Sequence, residues 1–203
     1  MLLCFDEDSA SGDRIARAAS LQQARIDRHR FPDGELKLRL PPQLPERVVV
    51  LRTLDQPDEK LVELLLVART ARQLGAKHLT LVAPYLAYMR QDMAFQPGEV
   101  VSQRIIGRVL AELFDCVITV DPHLHRVSTL EEAVPTSSAI VLSGAPLLSD
   151  LIASRRQQPL LILCFTRNHA HPRLPCRRPD CLSIRRIGLV ALHKGPDKLG
   201  VNQ

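Results

Sequence analysis

His78-Leu-Thr-Leu-Val82, then Ala83-Pro-Tyr-Leu-Ala-Tyr-Met-Arg-Gln-Asp-Met-Ala-Phe-Gln-Pro-Gly-Glu99, then the run from Val101 to Leu113 decide how this chain folds. The first piece reads as a strand. The last reads as a helix with Ile105, Ile106, Val109, Leu110 and Leu113 facing inward. A strand feeding a helix puts the junction between them at the carboxyl edge of a parallel sheet, where ligands bind in such folds. Arg90, Gln91 and Asp92 set a fixed cation, an amide and a carboxylate side by side in that junction. Tyr85, Tyr88 and Phe95 surround them in a protein with only 3% aromatic residues. A planar anion such as a nucleotide would use all three kinds of group. The competing reading is an ordinary long loop that salt-bridges to its own surface.

Outward from this stretch the same alternation repeats. Upstream, Arg47-Val-Val-Val-Leu-Arg52 predicts a fully buried parallel strand. Pro57, followed by Asp58 and Glu59, opens a helix at its positive end. Leu61, Leu64, Leu65, Ala68, Ala71 and Leu74 form its apolar stripe, and Gly75 closes it. Nearer the N-terminus, Leu2 to Phe5 predicts a short buried strand, and Ser11 caps a helix through about Leu21. Ala24 to Arg30 predicts a strand. Phe31-Pro-Asp-Gly-Glu35 is a turn, because Pro32 presets φ and Gly34 permits a positive one. Leu36-Lys-Leu-Arg-Leu40 alternates strictly and returns as a strand. The turn is either a plain hairpin or a device that projects Asp33 and Glu35 toward a ligand.

Downstream, Cys116-Val-Ile-Thr-Val120 predicts another strand, and Ser138 to Leu142 a further one. Pro146 to Ile152 reads as a short helix, and Leu160 to Cys164 as one more strand. Strands alternating with helices over short connections mean a parallel, three-layer α/β sheet.

Three segments now stand at strand ends: Phe31-Pro-Asp-Gly-Glu35, the Arg90-Gln-Asp92 loop, and Thr119-Val-Asp-Pro-His-Leu-His-Arg126. In this order and spacing the chain resembles the ribose-phosphate pyrophosphokinases, or PRPP synthetases. It most resembles the shorter bacterial variants that read Asp-Pro-His-Leu-His-Arg. The resemblance runs from Met1 to about Ile162. It implies an α/β fold of phosphoribosyltransferase-like type with an incomplete second domain. It also implies pyrophosphoryl transfer from ATP to ribose 5-phosphate in nucleotide biosynthesis, with Mg2+. Such a transfer depends on neutralising phosphate charge and placing the nucleophile.

The resemblance implies that Asp33, Gly34 and Glu35 contact base and ribose from a neighbouring subunit, which makes the protein a homo-oligomer. It assigns Arg90 and Gln91 to ATP, with Asp92 orienting Arg90. His123 falls near the metal–phosphate cluster, and Asp121, two residues earlier on an extended chain, contributes to it or positions it. The family's paired-aspartate loop for the ribose 5-phosphate is absent, as is its Gly-Pro-Asp segment after the last strand. Leu192-His-Lys-Gly-Pro-Asp197 faintly resembles the family's flexible catalytic loop, without its paired arginine. No catalytic residue is therefore assigned. The alternative function is a non-catalytic nucleotide-binding homologue that modulates or pairs with a full-length synthetase.

Composition agrees with three segments: residues 1–143 as the synthetase-like domain, 144–164 as the start of a second, and 165–203 as a divergent basic tail. From Arg155 onward there are ten Lys/Arg against two Asp/Glu, and before it 17 against 20. The tail's composition predicts loose coil over residues 166–186 and nonspecific stickiness, without a specific nucleic-acid partner. It is also what a shifted reading frame would give, with the missing motifs in another frame. His169, His171, Cys176 and Cys181 match no closed zinc pattern. No apolar run reaches a membrane span, and the N-terminus is no signal peptide, so the expected location is the cytoplasm. The five cysteines are expected to be reduced thiols.

Overall fold

A computed structural model of the protein describes residues 1–155, 161–164 and 188–191. The chain divides into two units, Met1–Leu142 and Ser143–Gln203. The first carries β1 (Leu2–Cys4), β2 (Gln23–Arg25), β3 (Asp27–Arg30), β4 (Leu36–Arg39), β5 (Arg47–Leu51), β6 (His78–Ala83), β7 (Cys116–Val120) and β8 (Ser138–Leu142). Six of these form one sheet in the order β2-β1-β5-β6-β7-β8. Every pair in it is parallel, so the expected α/β architecture is present.

Strand alternation sends neighbouring residues to opposite faces. Leu3, Phe5, Val48, Val50, Leu79, Leu81 and Val117 enter the main core, which also takes Leu64, Val67, Ala68, Leu110 and Leu113 from the helices. Leu2, Cys4, Leu51 and Ala16 form a smaller core on the other face. The helices are α1 (Ser9–Ala18), α2 (Pro57–Gln73), α3 (Ser102–Leu113) and the single turn α4 (Leu130–Ala133). The turn α4 carried no sequence signal of its own. Helix α1 covers the smaller core, and α2 and α3 the larger, which makes the three layers.

The helix readings need correction in detail. Helix α1 starts at Ser9, after a 3-10 turn over Asp6–Asp8, so Ser11 lies inside it rather than at its cap. It ends at Ala18, where Ser20 turns with φ 53°. On α2 the buried set is Glu63, Leu64, Val67, Ala68 and Ala71, while Leu65 is exposed. On α3 it is Gln103, Gly107, Leu110 and Leu113, with Ile105 and Val109 turned outward. Most of each expected stripe packs on the core: Leu61, Leu64, Ala68, Ala71 and Leu74 from α2 and its end, and Ile106, Leu110 and Leu113 from α3. Each inner face also takes in positions that apolar counting passes over, Glu63 on α2 and Gln103 and Gly107 on α3.

The stretch from Ala24 to Arg30 is two strands. Ile26 is buried, and its N–H donates to the Cys4 carbonyl at 2.9 Å, closing the parallel sheet. From Asp27 the chain leaves that sheet and pairs antiparallel with β4, Arg30 opposite Leu36. The turn between them is a tight hairpin. The Gly34 N–H donates to the Phe31 carbonyl at 2.9 Å, and the Phe31 N–H to that of Glu35 at 2.8 Å. Gly34 adopts φ +94°, which an L side chain resists.

A buried ion cluster fastens this hairpin to the sheet. Arg52, just beyond β5, is 1% exposed and Glu63 is fully buried. Arg52 Nη1 contacts Glu7 Oε1 and Asp8 Oδ2, both at 2.9 Å, and its Nη2 lies 2.5 Å from Glu63 Oε2. The last is an ion contact only: Glu63 Oε2 accepts no hydrogen bond, and Arg52 Nε is likewise buried without a hydrogen-bond partner. Arg28 of β3 reaches Glu63 Oε1 at 2.5 Å and Glu7 Oε1 at 3.0 Å. Both guanidiniums lie over the Phe5 ring, at 4.4 Å for Arg52 and 5.5 Å for Arg28. Burial works against the Arg52 charge, yet Asp8, Glu63 and Glu7 raise its pKa further. Burial would also raise Glu7, but its backbone hydrogen bond and the two arginines hold it below the carboxylate range.

In the second unit, α5 (Ala145–Arg155) is helical, and β9 (Leu161–Cys164) pairs antiparallel with β10 (Gly188–Ala191). Residues 166–186, the four zinc candidates among them, and the segment holding Lys194 lie outside the described residues. No helix is long and apolar enough to cross a membrane among the described residues. Cys4 and Cys116 are buried free thiols.

Candidate functional site

Strands β6 and β7 end side by side, with Ala83 opposite Thr119, so their following loops leave from one sheet edge. The first loop, residues 84–101, is pinned at its start. The Leu54 N–H donates to the Tyr85 carbonyl at 3.0 Å, and the Val120 N–H to that of Pro84 at 3.3 Å. Tyr88 holds a left-handed conformation at φ 61°, and its hydroxyl donates to Asp58 in the first turn of α2. Asp58 raises the pKa of that phenol in turn. A non-glycine residue held at positive φ is costly, and it persists where surrounding contacts enforce it.

Beyond Tyr88 the chain alternates between buried and presented groups. Met89 is buried, Arg90 exposed, Gln91 half-buried and Asp92 buried again. The Gln91 amide donates to the Met93 carbonyl at 3.0 Å. Asp92 was expected to orient Arg90, but its ion partner is Arg126, with Nε 3.4 Å from Oδ1. That contact ties the β6 loop to the β7 loop. Asp92 Oδ2 is buried without a hydrogen-bond partner, as is Thr119 Oγ1. Arg90 itself enters no ion pair among the described residues, and Tyr85 and Phe95 are exposed.

In the β7 loop, Asp121 is exposed with φ 41°, and its N–H donates to the Leu142 carbonyl at 2.9 Å. The Leu124 N–H turns back to the Pro122 carbonyl at 3.0 Å. The segment is therefore a tight turn rather than an extended chain, and the same-side placement of Asp121 and His123 cannot be taken from alternation. The His123 ring lies edge-on to His125, centroids 4.0 Å apart.

Asp33, Gly34 and Glu35 stand apart. They occupy the exposed hairpin turn, where the Glu35 N–H donates to Asp33 Oδ1 at 3.1 Å. A groove of about 310 Å³ beside them is lined by Gly34, Glu35, Leu36, Glu59, Val62 and Leu66. No hydrogen bond or ion pair joins them to Arg90 or His123 among the described residues. What the hairpin and the β6 loop share is the start of α2, where Glu59 meets Arg30 and Asp58 meets Tyr88.

Sequence reading passed over Arg52, Glu63, Gln103 and the pairing of Arg126. The available signal was a charged or amide residue inside an apolar stripe, as Glu63 is between Leu61 and Leu64.

Residues 1–113 match the family model described as the N-terminal domain of ribose phosphate pyrophosphokinase. A ribose-phosphate pyrophosphokinase of Methanopyrus kandleri is 39% identical over 132 residues, covering 64% of this chain and 45% of the relative. One from Halobacterium salinarum is 35% identical over 154 residues, covering 74% and 54%. The crystal structure of phosphoribosylpyrophosphate synthetase from Mycobacterium smegmatis shares the fold, with TM-score 0.66 and 22% identity, over 76% of this chain and 52% of that one. This chain thus spans about half the length of the proteins it matches.

Proposed function

The chain belongs to the ribose-phosphate pyrophosphokinase family, and from that membership we propose that its β6 and β7 loops bind ATP with magnesium. The observation that supports this best is Arg90, exposed between anchored neighbours at the carboxyl edge of the sheet. A guanidinium held there without an internal counter-ion is a ready partner for phosphate. Gln91 adds an amide beside it. Tyr85 and Phe95 offer exposed ring surface within the same loop.

Magnesium suits what is present. No group of three acidic, histidine or cysteine ligands exists among the described residues. Mg2+ seldom needs one, since it is commonly held by one or two carboxylates, waters and substrate phosphates. Asp121, an oxygen ligand directly after β7, would hold it, with His123 beside the phosphates. When bound, the ion neutralises phosphate charge; the chain's own part is to place Arg90, Gln91 and the β7 loop around the nucleotide.

The whole reaction proposed for the family member is pyrophosphoryl transfer from ATP to ribose 5-phosphate. In it residues 1–143 act as the nucleotide-side domain, 144–164 begin a second one, and 165–203 form a basic tail. Asp33, Gly34 and Glu35, on an exposed turn, would complete the site of a second copy in a homo-oligomer. The cytoplasm is the proposed location. The second reading is a non-catalytic nucleotide-binding homologue that modulates or pairs with a full-length synthetase.

Calorimetric titration with Mg-ATP tests the proposal. Binding is expected, and Arg90→Ala should weaken it at least tenfold, the value of about 1.5–3 kcal/mol for a hydrogen bond to a charged group. PRPP formed from added ribose 5-phosphate would support transfer, and binding without product the second reading. If Mg-ATP does not bind, the proposal fails.

A further inference from the structure

Gln103 is 2% exposed, sits in the first turn of α3, and belongs to none of the three segments that led to the site. Its side-chain amide donates to the Met89 carbonyl at 3.3 Å. Its backbone N–H donates to the Gln91 carbonyl at 3.2 Å. These two carbonyls flank Arg90 on either side. We propose that Gln103 is a positioning residue that clamps the backbone around Arg90 and aims its guanidinium at the nucleotide phosphates, an inference that rests on the function proposed above.

The chemistry of both bonds favours this role. The N–H of an early helical residue has no partner inside its helix and must find one elsewhere. Val101 at the cap makes no side-chain bond, so the loop itself supplies the acceptor. A buried amide without a partner is unfavourable, which fixes Gln103 on the Met89 carbonyl. The clamp works with two further tethers: Tyr88 to Asp58 on one side and Asp92 to Arg126 on the other. Of the five residues from Tyr88 to Asp92, only the side chain of Arg90 is presented to solvent without an internal bond among the described residues. Holding the backbone that carries this one cation lowers the ordering cost of binding.

The test combines amide hydrogen exchange with Mg-ATP titration on the full chain. Gln103→Met keeps length and apolar contact but removes the donor. Exchange of the Gln103 amide, which ties the loop through the Gln91 carbonyl, should rise at least tenfold while the amides of β6 and β7 stay unchanged. Mg-ATP affinity should fall about tenfold, and in an Arg90→Ala background the same substitution should produce no further loss. Unchanged exchange of the Gln103 amide, or an equal loss of affinity without Arg90, would overturn the clamp. Should Gln103→Met fail to fold, Tyr88→Phe releases the neighbouring tether and must quicken exchange of the same Gln103 amide; no change there also overturns it. If the unaltered chain does not bind Mg-ATP, the proposed function falls, whereas exchange of that amide still decides the clamp.

Discussion

Arg52→Met should lower the unfolding free energy of the first unit by about 3–5 kcal/mol, as when one partner of a buried ion pair is removed. The size follows from what would be left behind. Glu63 is fully buried and Asp8 nearly so, and both face the Arg52 guanidinium. Without it, Glu63 keeps only Arg28, and Asp8 loses the charge 2.9 Å away. Methionine replaces the volume and can still touch Phe5, so the deficit measures charge rather than a cavity. Arg52→Lys should rescue little, because one ammonium cannot face Glu7, Asp8 and Glu63 at once. Urea unfolding gives the number, and a loss below 1 kcal/mol would show that the cluster relaxes or admits water.

The same cluster sets a pH dependence. The Glu7 carboxyl is held below its ordinary value of 4.5 in the folded protein. Its contribution is therefore present above that value and lost as pH falls through the lower folded one. Arg52→Met should shrink this acid-side loss, which a urea series across pH 3 to 6 would reveal.

Gly107→Ala should be destabilising by about 3 kcal/mol or more, against the rule that alanine improves a helix by about 1 kcal/mol over glycine. A Cβ built on Gly107 would lie 1.8 Å from the Ala133 carbonyl oxygen and 2.9 Å from its carbon. Both are backbone atoms of α4, so no side chain can swing aside. Helix α3 and the α4 turn would have to separate by more than an ångström, disturbing Leu130, Ala133 and Val134, which are all buried in the main core. Thermal unfolding would show the effect, and a variant as stable as the parent would mean that the two elements do not approach so closely.

Gly107 also marks where sequence reading stopped. Ile105 and Val109 are more apolar than Gln103 and Gly107, and counting apolar residues placed them inside. Close approach to α4 needs a residue without a side chain, and clamping the Arg90 loop needs an amide. Those two demands bring Gln103 and Gly107 inside beside Leu110 and Leu113. On α2 Glu63 is inside, paired with Arg52 and Arg28, while Leu65 is outside. Strands were legible because β5, β6 and β7 carry the apolar runs that a parallel sheet requires. The hairpin was legible from Pro32 and Gly34, although not the change of sheet at Ile26. Of the candidate site, the two loops could be placed at strand ends from sequence. Their mutual tie could not, because Asp92 and Arg126 lie 34 positions apart and nothing local couples them.

The place of β1 bears on how the domain is made. It precedes the other strands of the sheet in the chain, yet it lies inside the sheet, with β2 on one side and β5 on the other. Leu2 pairs with Val49 and Cys4 with Leu51. During synthesis these apolar residues stay half-covered until some fifty positions have emerged, whereas Arg30 and Leu36 of the hairpin meet almost at once. Pairing so distant in sequence forms slowly, and exposed apolar segments are vulnerable in the interval. The acidic run Asp6, Glu7 and Asp8 directly behind β1 keeps that waiting segment charged until Arg52, one residue past the partner strand, arrives to neutralise it.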